Sequence, residues 1–294
     1  MELTYIVKNN VYTTVKEVLK AYFRISDRLL LKLKRNKKIL LNEKLVSVNK
    51  TIQINDTIRV VFDIDEDNSN IVPTKMELEI IYEDEAYLVI NKPSGIPIHP
   101  SMEHYTDSLS NGVKYYFDTI NLKKKIRPVN RLDKDTSGLV IFAKNEYIQE
   151  CLIKQMKENL FYKEYIAICE GKFEIKKGNI NKPIARKENS IIERCVCDNG
   201  DYALTEYEVL RYDEVKNYSV VRCILKTGRT HQIRVHMQYI GHPILGDTLY
   251  GHPSNFINRQ ALHSNKISFI HPTMNKKVTY TSKLFNDMKA FCLT

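Results

Sequence analysis

One stretch constrains this chain more than any other: Arg127-Pro128-Val129-Asn130-Arg131-Leu132-Asp133-Lys134-Asp135-Thr136-Ser137-Gly138, running without a break into Leu139-Val140-Ile141-Phe142-Ala143. The first part is charged and turn-prone, and the second is an apolar run of buried-strand length. A fold that accommodates both must place a charged loop at the mouth of a sheet, where loops usually carry chemistry. Asp133 is the carboxylate such a loop would present.

At 294 residues and 43% hydrophobic content, the chain can build one large domain and a small companion. No window approaches the ~18 consecutive apolar residues of a membrane span. Met1-Glu2-Leu3-Thr4-Tyr5-Ile6-Val7-Lys8 carries an acid early and only a short apolar stretch, unlike a secretory signal. A soluble cytoplasmic protein with no membrane partner is expected. Six cysteines (Cys151, Cys169, Cys195, Cys197, Cys223 and Cys292) are too sparse for a disulfide framework. No second Cys or His pair stands at zinc spacing from Cys195 and Cys197. The formal net charge of +10 favours polyanionic partners, and its clustering says more than its total.

Val15, Val18, Leu19 and Tyr22 fall on one helical stripe, and Ser26 reads as the N-cap of a second helix over 27–35 with Leu30 and Leu33 on one face. Arg28, Lys32, Lys34, Arg35, Lys37 and Lys38 crowd eleven residues with no acid between them. A lone charge run is usually a solvated face. This density instead predicts a phosphate-binding face carried by Arg28, Lys32, Arg35 and Lys37. Strand-like runs at 39–41 and 57–62 complete a small α+β unit over residues 1–63. An acidic linker over 64–75 and a larger domain over 76–294 follow.

In the larger domain, Met76, Leu78 and Ile80 alternate as a strand, and a buried strand over 87–90 ends at Asn91-Lys92-Pro93-Ser94-Gly95. Asn145 caps a helix with Ile148, Cys151, Leu152 and Ile153 inward. Strands are expected over 161–171, 202–212 and 218–225, then a helix over 231–240 capped by Thr230 and stopped by Gly241. Helices interrupt the strands irregularly, which reads as α+β rather than a repeating βαβ wind.

The flanking cations Arg131 and Lys134 suit Asp133 to act as a nucleophile or base, not as a general acid. Asp135 invites a paired-carboxylate glycosidase reading. In an extended segment the two would lie roughly 6–7 Å apart and in a turn they diverge, so the pairing stays open, and an Asx-type turn is preferred for Asp135. Gly228-Arg229-Thr230-His231-Gln232-Ile233-Arg234 sets two guanidiniums at a helix start, a setting for anions. His231, His236 and His242 lack metal-ligand spacing, and no glycine-rich nucleotide loop is present. Neither metal nor cofactor is expected.

Taken together, the segments from Met76 onward resemble the RluA/RluD family of pseudouridine synthases. The resemblance rests on Arg131 to Gly138, Lys163-Glu164-Tyr165, Gly228 to His236, Gly241-His242-Pro243-Ile244-Leu245-Gly246-Asp247, and Asn91 to Gly95 with His99-Pro100. The first ~60 residues more loosely resemble the RNA-binding domain shared with ribosomal protein S-four. One departure is Asn130, where the family motif usually has His. It is expected to affect loop packing or RNA contacts more than chemistry.

The resemblance implies a mixed, mostly antiparallel sheet flanked by helices, and isomerisation of uridine in RNA after the nucleotide flips out of its stack. Asp133 would attack the anomeric carbon or remove a sugar proton. Arg234 would pair with Asp133, and Tyr165 would stack on the base and assist removal of the carbon-5 proton. Leu245 would wall the pocket. Arg131, Leu132, Thr136, Ser137, Gly138, Arg229, His231 and Gln232 are implied to contact substrate. Large-subunit ribosomal RNA is the favoured substrate and transfer RNA the alternative, acted on by a monomer. The competing readings are a non-catalytic RNA-binding or ribosome-assembly factor on the same fold, and, more distantly, a nucleoside glycosidase.

Overall fold

The computed structural model describes residues 1–292. The N-terminal unit comprises β1 (Glu2–Ile6), α1 (Val15–Glu17) continued by one wide π turn (Val18–Tyr22), α2 (Asp27–Arg35), β2 (Ile39–Leu41), β3 (Lys44–Leu45) and β4 (Thr57–Val61). Its strands lie in the order β1-β4-β2-β3. Ser26 caps α2 by accepting the Leu29 N–H at 3.2 Å, and Leu29, Leu30 and Leu33 are buried. β1 is hard to see in the sequence because only Leu3 of its five residues is buried.

The larger unit adds β5 (Ile80–Glu83), β6 (Tyr87–Lys92), α3 (Leu109–Thr119), β7 (Ser137–Ala143), α4 (Glu146–Lys157), β8 (Tyr162–Glu170), β9 (Lys177–Asn181), β10 (Ile184–Arg186) and β11 (Arg194–Val196). β12 (Leu204–Asp213), β13 (Tyr218–Leu225), α5 (Gln232–Tyr239), β14 (Leu262–Ile270), β15 (Lys277–Thr281) and α6 (Asn286–Cys292) complete it. The main sheet runs β5-β6-β7-β14-β8-β13-β12-β9, with β15 also on β14. Among the described residues only β7 and β14 pair in parallel within it. The mixed, mostly antiparallel α+β architecture is therefore the one expected.

The apolar run at Leu139 is continuous because β7 is covered on both sides. Val140 and Phe142 face one core with Leu88, Ile90, Val113 and Phe117. Leu139 and Ile141 face a second core with Tyr87, Val89, Ile148 and Leu152. That second core continues into the N-terminal unit through Phe62, whose ring centroid lies 5.3 Å from that of Tyr147.

Three local expectations change. The sheet starts at Ile80 and not at Met76: Met76 and Leu78 fill the space beside Gly112 of α3, where a Cβ would sit 2.9 Å from Met76 Sδ. α4 is capped by Asn145 as expected, but its Ile153 points outward, 37% exposed. The acidic segment after β4 is a strap as much as a linker. Glu66 takes a bidentate pair from Arg127, at 2.6 and 2.7 Å, and also pairs with Lys32 of α2.

Burial would raise the Glu66 pKa, but the Arg127 and Lys32 hydrogen bonds and charges outweigh it and lower it to about 2. The stabilisation is present above pH ~4.5 and fades as pH falls towards 2. Glu66→Gln is expected to cost about 3 kcal/mol at pH 7, because it strands the buried Arg127 guanidinium. Urea unfolding followed at pH 7 and at pH 3 checks this, with the deficit shrinking at the lower pH.

Candidate active site

Asp133 sits on the loop that feeds β7, and several ties fix that loop. Asn130, buried, donates from Nδ2 to the Leu139 carbonyl and accepts the Ile141 N–H, both at 2.9 Å. The residue that departs from the family motif thus stitches the loop to its own strand. Lys92, fully buried, gives its three ammonium N–H bonds to the carbonyls of Pro93, Ile96 and Lys134, each at 2.8 Å. Desolvation pulls its pKa down to about 7; Asp135 opposes that shift. Arg259 Nη1 holds the Asp135 carbonyl at 3.1 Å.

Gly138 has φ +111°, and a Cβ there would lie 2.3 Å from the Ser264 carbonyl oxygen, so only glycine fits against β14. Ser137 Oγ meets His263 Nδ1 at 2.9 Å. Ser137 and Gly138 therefore shape the sheet beneath the site and do not line it.

Arg234, on α5, is the second element. Its Nε and Nη2 fork onto Asp247 at 2.6 and 2.8 Å, leaving Nη1 to reach Asp133 Oδ2 at 3.1 Å. The bidentate pair fixes the plane of the guanidinium. Asp247 is 1% exposed and also accepts the backbone N–H groups of Leu249 and Tyr250. The Tyr250 ring lies under the guanidinium, 4.9 Å from Cζ.

Around Asp133 opens a cavity of about 690 Å³, the size of a small-molecule site. Ile98, Leu132, Tyr165, Leu225 and Leu262 supply apolar wall, and Arg131, Thr136, Lys163, Arg229, His231 and Arg234 supply polar groups. Tyr165 and Lys163 stand two apart on β8, on one face of the strand. Burial raises the Tyr165 pKa to about 12, with the Asp133 charge adding to the effect, so it is a neutral phenol at pH 7. Burial lowers Lys163 to about 8.

Of the residues singled out in the sequence, Arg131, Leu132, Asp133, Thr136, Tyr165, Arg229, His231, Gln232 and Arg234 converge on this cavity. Gln232 is spent internally: it accepts from Thr227 and the Arg229 N–H and donates to Leu204 and Thr205. Leu245 is not in the lining. Its backbone N–H donates to the Ile168 carbonyl and its own carbonyl accepts the Ala261 N–H, which stitches it between β8 and β14, and Leu262 serves as wall instead. Thr230 does not cap α5: the N-cap is His231, with left-handed φ 58° and no capping side chain. Sequence reasoning missed that His99 and Arg194 line the cavity and that Asp247 and Tyr250 hold Arg234; Asp247 stood in a quoted motif but had no partner until the fold supplied Arg234.

The cations of α2 and of the turn after it divide. Lys32 turns inward to Glu66 and Glu146, and Arg28 pairs with Glu146 while remaining largely exposed. Arg35 and Lys37 are exposed, with no ion pair among the described residues.

The profile of the RNA pseudouridylate synthase family matches residues 86–239, which carry Asp133, Tyr165 and Arg234. An uncharacterised RNA pseudouridine synthase of Bacillus subtilis is 40% identical over 237 residues, covering 80% of this chain and 78% of that protein. This chain belongs to the RNA pseudouridine synthase family. It is also 39% identical to ribosomal large subunit pseudouridine synthase D of Blochmanniella floridana, over 75% of this chain and 74% of that one. The structure of human RNA pseudouridylate synthase domain containing 1 superposes with a TM-score of 0.60 at 26% identity, over 73% of this chain and 87% of that chain.

The enzyme's loop stitch is testable. Asn130→Ala leaves the Leu139 carbonyl and the Ile141 N–H unpaired, and should destabilise the synthase by about 1–3 kcal/mol. Denaturant unfolding reads the loss. Isomerisation should slow as the Asp133 loop loosens.

Proposed function

We propose that this synthase isomerises uridines of large-subunit ribosomal RNA, with Asp133 as the group that acts on the sugar. The observation that carries the proposal is the Asp247–Arg234–Asp133 chain at the edge of a nucleotide-sized cavity beside Tyr165. A stacked uridine cannot reach a carboxylate so placed, so the nucleotide flips into the cavity. The C1′–N1 bond breaks with its electron pair on the uracil, the uracil turns against the Tyr165 face, C1′ bonds to carbon 5, and the carbon-5 proton passes to water as N1 takes one up. Tyr165 acts chiefly by stacking, because its neutral phenol is a weak base at pH 7. Arg35 and Lys37 of the N-terminal unit, with Arg28, attract the RNA backbone. The ribosomal assignment is supported by the named large-subunit relatives.

Lys163 offers positive charge to the carbonyl oxygens of the uracil as it leaves with its bonding electrons. The ammonium is present below pH ~8 and lost above it. The single-turnover rate should therefore fall on the alkaline side with a midpoint near 8. Lys163→Met should be slower by about 100-fold at pH 7 and lack that limb.

The deciding assay gives the enzyme large-subunit RNA, native large subunits and transfer RNA, all tritiated at carbon 5 of uridine. Tritium should be released from the large-subunit substrates by wild type and not by Asp133→Ala, without free uracil. Release from transfer RNA alone would reassign the substrate, and free uracil would make the enzyme a glycosidase.

A further inference from the structure

His231 holds a backbone conformation that costs an L-residue about 1–2 kcal/mol, and it caps nothing in return. The turn instead aims its ring between two partners. Nδ1 lies 2.9 Å from the Tyr250 hydroxyl, and Nε2 lies 3.8 Å from Asp133 Oδ1, the oxygen that Arg234 leaves free.

The Tyr250 hydroxyl already accepts the Arg194 backbone N–H at 2.8 Å. Tyr250 is 5% exposed, and no other acceptor for its proton is found among the described residues. Leaving a buried O–H undonated costs about 1–3 kcal/mol, so that proton goes to His231 Nδ1. A neutral imidazole has one N–H, which is then on Nε2, facing the carboxylate. Burial lowers the His231 pKa; Asp133 and Asp247 pull it up, and Arg234 and Arg194 push it down, with a net shift towards the neutral ring.

We propose that His231 is a positioning residue for Asp133: Tyr250 fixes it as the Nε2–H tautomer, and that N–H takes the second carboxylate oxygen when the nucleotide closes the site. The 3.8 Å gap is of the kind that tightens in a substrate complex. The opposite tautomer would turn a lone pair on the carboxylate. The 247–250 turn thereby serves both oxygens of Asp133, through Arg234 and through His231. The proposal rests on Asp133 as the reacting carboxylate.

The test has two arms. In protein labelled with nitrogen-15 histidine, the His231 ring signals, identified by their loss in His231→Gln, should show a neutral Nε2-protonated ring at pH 7. Tyr250→Phe should abolish that preference. In single turnover on tritiated large-subunit RNA, Tyr250→Phe and His231→Leu should each lower the rate about tenfold with RNA affinity unchanged. His231→Gln, which keeps an N–H in reach, should stay within about threefold. An Nδ1-protonated or charged ring in the wild type overturns the proposal, as do wild-type rates in both Tyr250→Phe and His231→Leu. The spectroscopic arm uses no RNA, so a wrong substrate assignment cannot pass for a wrong tautomer.

Discussion

The site depends on one guanidinium that has only one nitrogen outside its fork on Asp247. Arg234 commits Nε and Nη2 to Asp247, and this fork sets the plane in which Nη1 must point. Asp133 is found where Nη1 points. Burying a guanidinium with two carboxylates carries a desolvation cost that geometry of this quality offsets only in part, so the triad is better understood as a device for orientation than for stability. Asp247 enforces it from a turn that also carries Tyr250, so the same backbone segment controls the charge and the ring beneath it.

The opposing jaw is the Asp133 loop, held by β7. A strand buried on both faces cannot shift register without exposing one apolar set, so Leu139 to Ala143 form a fixed base. Asn130 ties the loop to that base through its side-chain amide, and Lys92, at the end of β6, holds the Lys134 carbonyl with its ammonium. The N-terminal unit packs on α4, which covers the reverse face of the same strand, through Phe62 on Tyr147 and the pairs of Arg28 and Lys32 with Glu146.

Much of this was legible in the chain. The buried run after Gly138, the Ser26 and Asn145 caps and the strands at β8, β12 and β13 follow from apolar period and cap chemistry, which are local. Asp133 stood out from its charged loop, the roles of Tyr165 and Arg234 came through motif resemblance, and the fold brings the three together. What could not be read was non-local. Lys32 looks like a free cation until Glu66 and Glu146, distant in sequence, close on it. Leu245 looks like pocket wall until backbone pairing pulls it between strands. Thr230 looks like a cap until a left-handed turn puts His231 at the N-cap position. α3 was missed because Gly112 and a polar start interrupt its stripe, and Met76 and Leu78, from outside the helix, supply the packing.

The account stands on Asp247 acting at a distance through Arg234. Its most direct test is the single-turnover isomerisation rate of Asp247→Asn at saturating RNA, with RNA affinity measured in parallel. The account predicts a rate about 100-fold lower with affinity unchanged, because a neutral amide cannot hold both guanidinium nitrogens. A rate within about twofold of wild type would contradict it.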